Sequence, residues 1–214
     1  MIPIVSIVGK SDSGKTTLIE KIVPELVRRG YRVATIKHDI HGFEVDREGK
    51  DSWRHRKAGA NAVIISSSEQ VALITNVDRD MTLAELRNRF VDDVDIIISE
   101  GFKKDTQPKI EVFRKETHRE LLCSRDDNLV ALVTNQKFDI PAPTLDLDDT
   151  KGVVDVIEET FLRQKGEDEL SLVVDGRPVT LTPFIKTFLM TTVRAMVSTL
   201  KGCRDSKRIR ITIG

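Results

Sequence analysis

The chain has 214 residues, 34 Lys and Arg against 34 Asp and Glu, a formal net charge of zero and 39% hydrophobic residues. That is one full domain with room for a small appendage, able to bury roughly 70% of its unfolded surface without staples, and it excludes a disordered chain and a general nucleic-acid binder, whose affinity needs a positive excess. The two cysteines, Cys123 and Cys203, exclude a disulfide framework and a four-thiolate zinc site, and with no apolar run near the roughly 20 residues of a membrane span and no basic leader in Met1-Ile2-Pro3-Ile4-Val5, a cytoplasmic protein is expected.

Residues 2–8 form a uniformly apolar run, which predicts a strand covered on both faces, as in a parallel sheet. Residues 15–29 place Leu18, Ile22 and Leu26 at helical spacing and stop at Gly30. Residues 31–37 predict a second strand, so the chain opens with a βαβ unit, whose crossover is right-handed. The long ionisable stretch over 38–50 reads as a working loop, and residues 51–58 as a helix. Strands over 62–66 and 71–77 are too close for a parallel crossover and predict an antiparallel hairpin. Residues 83–90 predict a helix capped by Thr82. Residues 95–99 predict an apolar strand stopped by Glu100-Gly101, residues 110–113 and 129–134 two more strands, and residues 153–162 a closing helix. Alternating strands and helices imply a mixed, mostly parallel α/β sheet flanked by helices.

Residues 163–169 are polar and read as a linker between a domain over 1–164 and a module over 170–214. In the latter, Asp175-Gly176 favours a tight hairpin, Pro183 opens a helix that carries Phe184, Phe188, Val193, Met196, Val197 and Leu200, and residues 209–213 alternate as a strand. A ββαβ unit of about 45 residues is near the lower limit for independent folding. Its helix is apolar on most faces and must be covered on most of them, which implies packing on the main domain or on another chain. Charge is unevenly spread. Residues 126–159 hold nine acidic groups against two basic, and residues 201–214 five basic against one acidic. These runs are either solvated faces or, at the basic end, a dock for an acidic or phosphorylated partner.

The strongest chemical signal is Gly9-Lys10-Ser11-Asp12-Ser13-Gly14-Lys15-Thr16, which fits G-x-x-x-x-G-K-[ST] and lies between a buried strand and an amphipathic helix. Gly9 and Gly14 let the backbone curl so that the N–H groups of Ser11, Asp12 and Ser13 face one anion, and the helix adds its positive end. Lys15 brings a full charge to the β- and γ-phosphates, and the Thr16 hydroxyl can ligate Mg²⁺. The expected class is therefore an α/β fold of the P-loop NTPase type. The acidic partner of the metal is Glu100, at the carboxyl end of its strand where open α/β sheets bind ligands, or else Asp95 at the start. Asp39, at the end of the second strand, is placed to reach the Mg²⁺ or the attacking water.

His38-Asp39-Ile40-His41 reads as a metal pair only with ligands the neighbourhood lacks. The other readings are a polar loop over the phosphates, with Lys37, His41, Asp46, Lys50 and Asp51 lining a shared pocket, or a solvated loop. Thr134-Asn135-Gln136-Lys137-Phe138-Asp139 is reminiscent of the Asn-Lys-x-Asp element that reads guanine, with Gln136 putting the spacing off by one.

Residues 1–162 resemble the molybdopterin-guanine dinucleotide biosynthesis protein B family. The resemblance is carried by Gly9 to Thr16, by Ile36-Lys37-His38-Asp39-Ile40-His41-Gly42-Phe43 and Asp46-Arg47-Glu48-Gly49-Lys50-Asp51-Ser52, and by Arg54-His55-Arg56-Lys57-Ala58-Gly59-Ala60 and Ser99-Glu100-Gly101-Phe102-Lys103. It implies a weakly hydrolysing GTP-binding protein, usually a homodimer, that assists a guanylyltransferase joining GMP to molybdopterin, with molybdopterin or a molybdoenzyme as further partners. By this resemblance Gly14, Lys15, Thr16 and Thr17 contact phosphates, Thr16 and Glu100 serve Mg²⁺, and Asp39 with Lys50-Asp51 lies near the γ-phosphate or a pterin. Residues 170–214 depart from the short form of the family. A small-molecule kinase with Arg47, Arg54 and Arg56 as a clamp is the alternative, and a scaffold whose C-terminal module is the working part is another. Neither requires the stretch from Lys37 to Ser52.

Overall fold

The computed structural model describes all residues except 40, 41, 43–45, 118, 124–126, 164–169, 171, 175, 176, 205, 207, 208, 210 and 212–214. The chain divides into two compact units, residues 2–157 and residues 158–214.

In the larger unit, β1 (Ile4–Val8) is buried at all five positions, as a uniformly apolar run requires. Helix α1 (Lys15–Arg28) buries Leu18, Ile22 and Leu26, one stripe along its face. It ends where Gly30 takes φ +91°. Strand β2 (Val33–Lys37) follows, then α2 (Asp51–Lys57) and the antiparallel pair β3 (Ala62–Ser66) and β4 (Val71–Thr75). Helix α3 (Leu83–Phe90) starts at a reciprocal cap: the Thr82 hydroxyl accepts from the Glu85 N–H, and the Glu85 carboxylate accepts from the Thr82 N–H. Strands β5 (Ile96–Glu100), β6 (Lys109–Phe113), β7 (Leu129–Thr134) and β8 (Thr144–Leu145) complete the main sheet, and α4 (Thr150–Ile157) packs on α1.

The main sheet has six strands in the order β2-β5-β1-β6-β7-β8, and its neighbouring strands run parallel. Ile4 of β1, Ile97 of β5 and Leu83 of α3 form a buried cluster. On the inner strands Ser99 donates to Ser6 at 2.8 Å, which satisfies two buried hydroxyls in the middle of the apolar sheet. Buried Glu111 on β6 accepts from the N–H groups of Leu122 and Cys123 at 2.6 and 2.9 Å. Burial and this carboxylate push the Cys123 thiol up to about 12, which disfavours its thiolate.

In the smaller unit, the closing helix gives way to a π turn (Glu158–Leu162). Strands β9 (Leu172–Val174) and β10 (Arg177–Val179) pair antiparallel, and the Asp175-Gly176 turn expected between them lies outside the described residues. Helix α5 (Pro183–Ser198) has Pro183 in its first turn and a Thr182 cap.

Three expectations change. The closing helix starts at Thr150, because the Asp149 carboxylate accepts from the Gly152 N–H at 2.8 Å and caps the turn earlier than apolar spacing suggests. Strand β8 has only two residues, too few to show a period. Of the strand expected over 209–213, Ile209 and Ile211 lie outside any strand and the others lie outside the described residues.

Candidate functional site

β1 delivers the chain to the carboxyl edge of the sheet, where the loop from Gly9 to Thr16 turns back into α1. Gly9 has φ +153°, and a Cβ there would meet the Ser13 hydroxyl at 2.5 Å and the Val112 carbonyl oxygen at 2.6 Å, so only glycine fits between loop and β6. Asp12 (φ +61°) and Gly14 (φ +96°) are left-handed while Ser11 and Ser13 are not. Such alternation is the backbone of an anion nest. The Ser13 side chain is buried, and among the described residues its hydroxyl has no hydrogen-bond partner.

Lys15 donates from Nζ to the Lys10 carbonyl at 2.9 Å and so crosses the mouth of the loop. Burial pulls its ammonium below the usual lysine range, and the Glu100 carboxylate is the main opposing influence. Thr16 donates from Oγ1 to Glu100 Oε1 at 2.9 Å. The sheet register brings this about: Glu100 pairs with Ile7 on β1 and with Lys37 on β2, so all three leave the sheet at one edge. Asp95 precedes β5 at the opposite edge, where its carboxylate accepts from the Arg32 N–H at 2.9 Å. Between the two acidic candidates, the fold sets Glu100 beside the loop.

Past Glu100 the chain reverses through Gly101 (φ +96°) and Phe102 (φ +53°). Phe102 stacks on His38 with ring centroids 4.6 Å apart, and His38 Nε2 lies 2.8 Å from the Asp80 carboxylate. Asp39 follows β2 and is exposed. His41 lies outside the described residues. Among the described residues no three His, Cys, Asp or Glu side chains converge as a metal cluster. Asp46 accepts from the Ser52 hydroxyl at 2.7 Å, which ties the loop to α2. Lys50 and Asp51 are exposed at the start of that helix, with Asp51 3.7 Å from Arg54.

On the other flank of β1, a residue that sequence reasoning passed over stands at the loop. Arg114, directly after β6, donates from Nε to the Ser13 carbonyl at 3.1 Å, and its guanidinium packs over Gly14. Asn135, at the end of β7, accepts from the Lys115 N–H at 3.1 Å and donates to both carboxylate oxygens of Glu116 at 2.8 and 2.9 Å. The signal that would have found Arg114 and Glu116 is positional. Both follow a buried strand adjacent to β1 at its carboxyl end, where open α/β sheets collect ligands.

The sequence profile for "Molybdopterin guanine dinucleotide synthesis protein B" (MobB) matches residues 4–135, the span from β1 to Asn135 that builds this edge. The chain belongs to the MobB family. It is 40% identical over 158 residues to the molybdopterin-guanine dinucleotide biosynthesis adapter protein of Haemophilus influenzae, covering 73% of this chain and 88% of that protein. It is 35% identical over 170 residues to the Escherichia coli adapter protein, covering 78% of this chain and 97% of the other. The crystal structure of a MobB protein superposes with a TM-score of 0.59 at 31% identity, covering 73% of this chain and 98% of that one. The fold shared with these MobB proteins is the parallel sheet flanked by helices, and membership in the MobB family favours the adapter reading over the kinase.

Proposed function

We propose that this chain is a GTP-binding adapter that assists the guanylylation of molybdopterin to molybdopterin guanine dinucleotide. The observation that carries the reading is the Lys15, Thr16 and Glu100 arrangement on a nest-forming loop, in a chain whose relatives are named adapter proteins of this synthesis. The buried Ser13 hydroxyl without a partner and the cradle that a Cβ at Gly9 would fill are features that an anion completes. The loop N–H groups of Ser11, Asp12 and Ser13 and the start of α1, at Gly14, Lys15, Thr16 and Thr17, hold the phosphates, and Lys15 neutralises them.

Thr16 and Glu100 offer hard oxygen donors, the set that suits Mg²⁺, with Asp39 at the neighbouring strand end. When bound, the cation supplies positive charge to the phosphate oxygens. Phe102 rather than a glutamine follows the Glu100-Gly101 turn, so no amide there orients a water, and we propose that hydrolysis is slow. We propose that Lys50, Asp51 and His41 contact the γ-phosphate or a pterin. The partner is a molybdopterin guanylyltransferase, and residues 170–214 form an assembly module.

The test is paired. Calorimetry with GTP in the presence and absence of Mg²⁺ should show metal-dependent binding that Lys15→Ala weakens. Adding the chain to a molybdopterin guanylyltransferase should raise its dinucleotide yield. A chain that binds no GTP, or leaves the yield unchanged, overturns the reading.

A further inference from the structure

The Arg114–Thr117 turn follows β6 on the flank of β1 opposite Glu100 and is tied to the phosphate loop. Thr16 and Glu100 set the cation end on the β5 side of β1, while β6 and β7 leave the sheet on the other side. A triphosphate whose outer phosphates lie with Lys15 and the Thr16–Glu100 pair therefore carries its nucleoside toward the ends of β6 and β7. There Glu116 presents a carboxylate oriented by Asn135. Arg114 pins the turn to the phosphate loop through the Ser13 carbonyl at 3.1 Å. The Thr117 N–H and hydroxyl both donate to the Arg114 carbonyl, each at 3.2 Å, and close the turn. Asn135 accepts from the Lys115 N–H and holds both oxygens of Glu116. Glu116 is two residues from Arg114, a chain span of at most about 7 Å.

The chemistry of that carboxylate is selective. The Asn135 hydrogen bond holds the Glu116 carboxyl below the usual carboxylate range, so it is ionised at neutral pH and can only accept. The guanine edge presents two adjacent donors, N1–H and the 2-amino group. The adenine edge presents an acceptor at N1 beside its amino group and is repelled by the same oxygens. Gln136 puts Lys137 and Asp139 one residue out of step with the Asn-Lys-x-Asp spacing, and the turn after β6 carries a carboxylate tied to Asn135, the first residue of that string.

We propose that Glu116, oriented by Asn135, is the guanine-specificity residue of this site and accepts hydrogen bonds from N1–H and the 2-amino group of the base. The proposal rests on the reading of the site as one for GTP.

The test is calorimetry of the full chain with GTP, ITP, which lacks the 2-amino group, XTP, which has a carbonyl there, and tripolyphosphate, which has no base. The native chain should prefer GTP to ITP by about tenfold or more, the loss of one hydrogen bond to a charged acceptor. Glu116→Ala should weaken GTP by at least about tenfold and bind GTP and ITP alike, with tripolyphosphate unchanged. Glu116→Gln gives the xanthine carbonyl a donor and should raise XTP affinity above that of the native chain. A native chain that binds GTP through Lys15 but keeps its GTP-to-ITP ratio in Glu116→Ala overturns the role of Glu116 alone. Parallel loss of tripolyphosphate and GTP in Glu116→Ala also overturns it, because the residue then only supports the loop. A native chain that binds tripolyphosphate but no guanine nucleotide overturns the GTP reading, and this proposal falls with it.

Discussion

The hydroxyl of Thr16 donates to the Glu100 carboxylate at 2.9 Å across 84 residues of sequence. The bond closes the seam between the phosphate loop and β5, and it holds side by side the two oxygen donors that the proposed Mg²⁺ site uses. Holding them in place beforehand lowers the ordering that binding must impose.

Glu100→Gln should therefore weaken Mg²⁺-dependent GTP binding more than Asp95→Asn does. Asp95 sits at the opposite edge of the sheet, against Arg32, so its loss should leave metal dependence intact. Calorimetry over a Mg²⁺ series checks this, and the reverse order moves the metal role to Asp95.

Lys15→Ala should reduce GTP affinity by about 1.5–3 kcal/mol, the size of a hydrogen bond to a charged group. The sign of its pH dependence follows from burial, which lowers the Lys15 pKa from 10.5. The protonated form binds phosphate, so affinity should fall as pH rises, and the fall should begin below the ordinary lysine range. Lys15→Arg, which stays charged, should lack this alkaline limb.

Thr82→Ala should lower the stability of the larger unit by about 1 kcal/mol, as loss of an N-cap does. Its partner Glu85 is held at about 2, against 4.5 when unperturbed, first by the Arg79 guanidinium and then by Thr82. A depressed carboxyl stabilises the fold above its unfolded pKa and loses that contribution as pH falls through the folded one. The stability gap between the native chain and Glu85→Gln should thus be full at pH 7 and close between about pH 4.5 and 2. Urea titrations across that range check it.

Phe184 and Phe188 are 76% and 56% exposed on α5, with ring centroids 6.4 Å apart. If residues 170–214 form an assembly module, Phe184→Ser with Phe188→Ser should lower the mass seen in light scattering. GTP binding should stay within about twofold, since no residue of the phosphate loop is touched. An unchanged mass removes the helix from the assembly.

Residues close in sequence were legible from the sequence alone. The run over β1, the loop to Thr16 and the stripe Leu18, Ile22, Leu26 follow one another directly. Each is specified by backbone freedom or by a local period, and neither needs a distant partner. The same holds for the Thr82 cap and the β3–β4 hairpin. What brings Thr16 to Glu100, Arg114 to Ser13 and Asn135 to Glu116 is the strand order β2-β5-β1-β6-β7-β8, and these pairs lie 84, 101 and 19 residues apart. No local period encodes which strand lies beside which, so the placement of Glu100 rather than Asp95 beside the loop and the partners of Asn135 come from sheet register. Ile209 and Ile211 alternate as a strand would, yet among the described residues neither lies in one, since a strand is held by hydrogen bonds to a neighbour that its own sequence cannot supply.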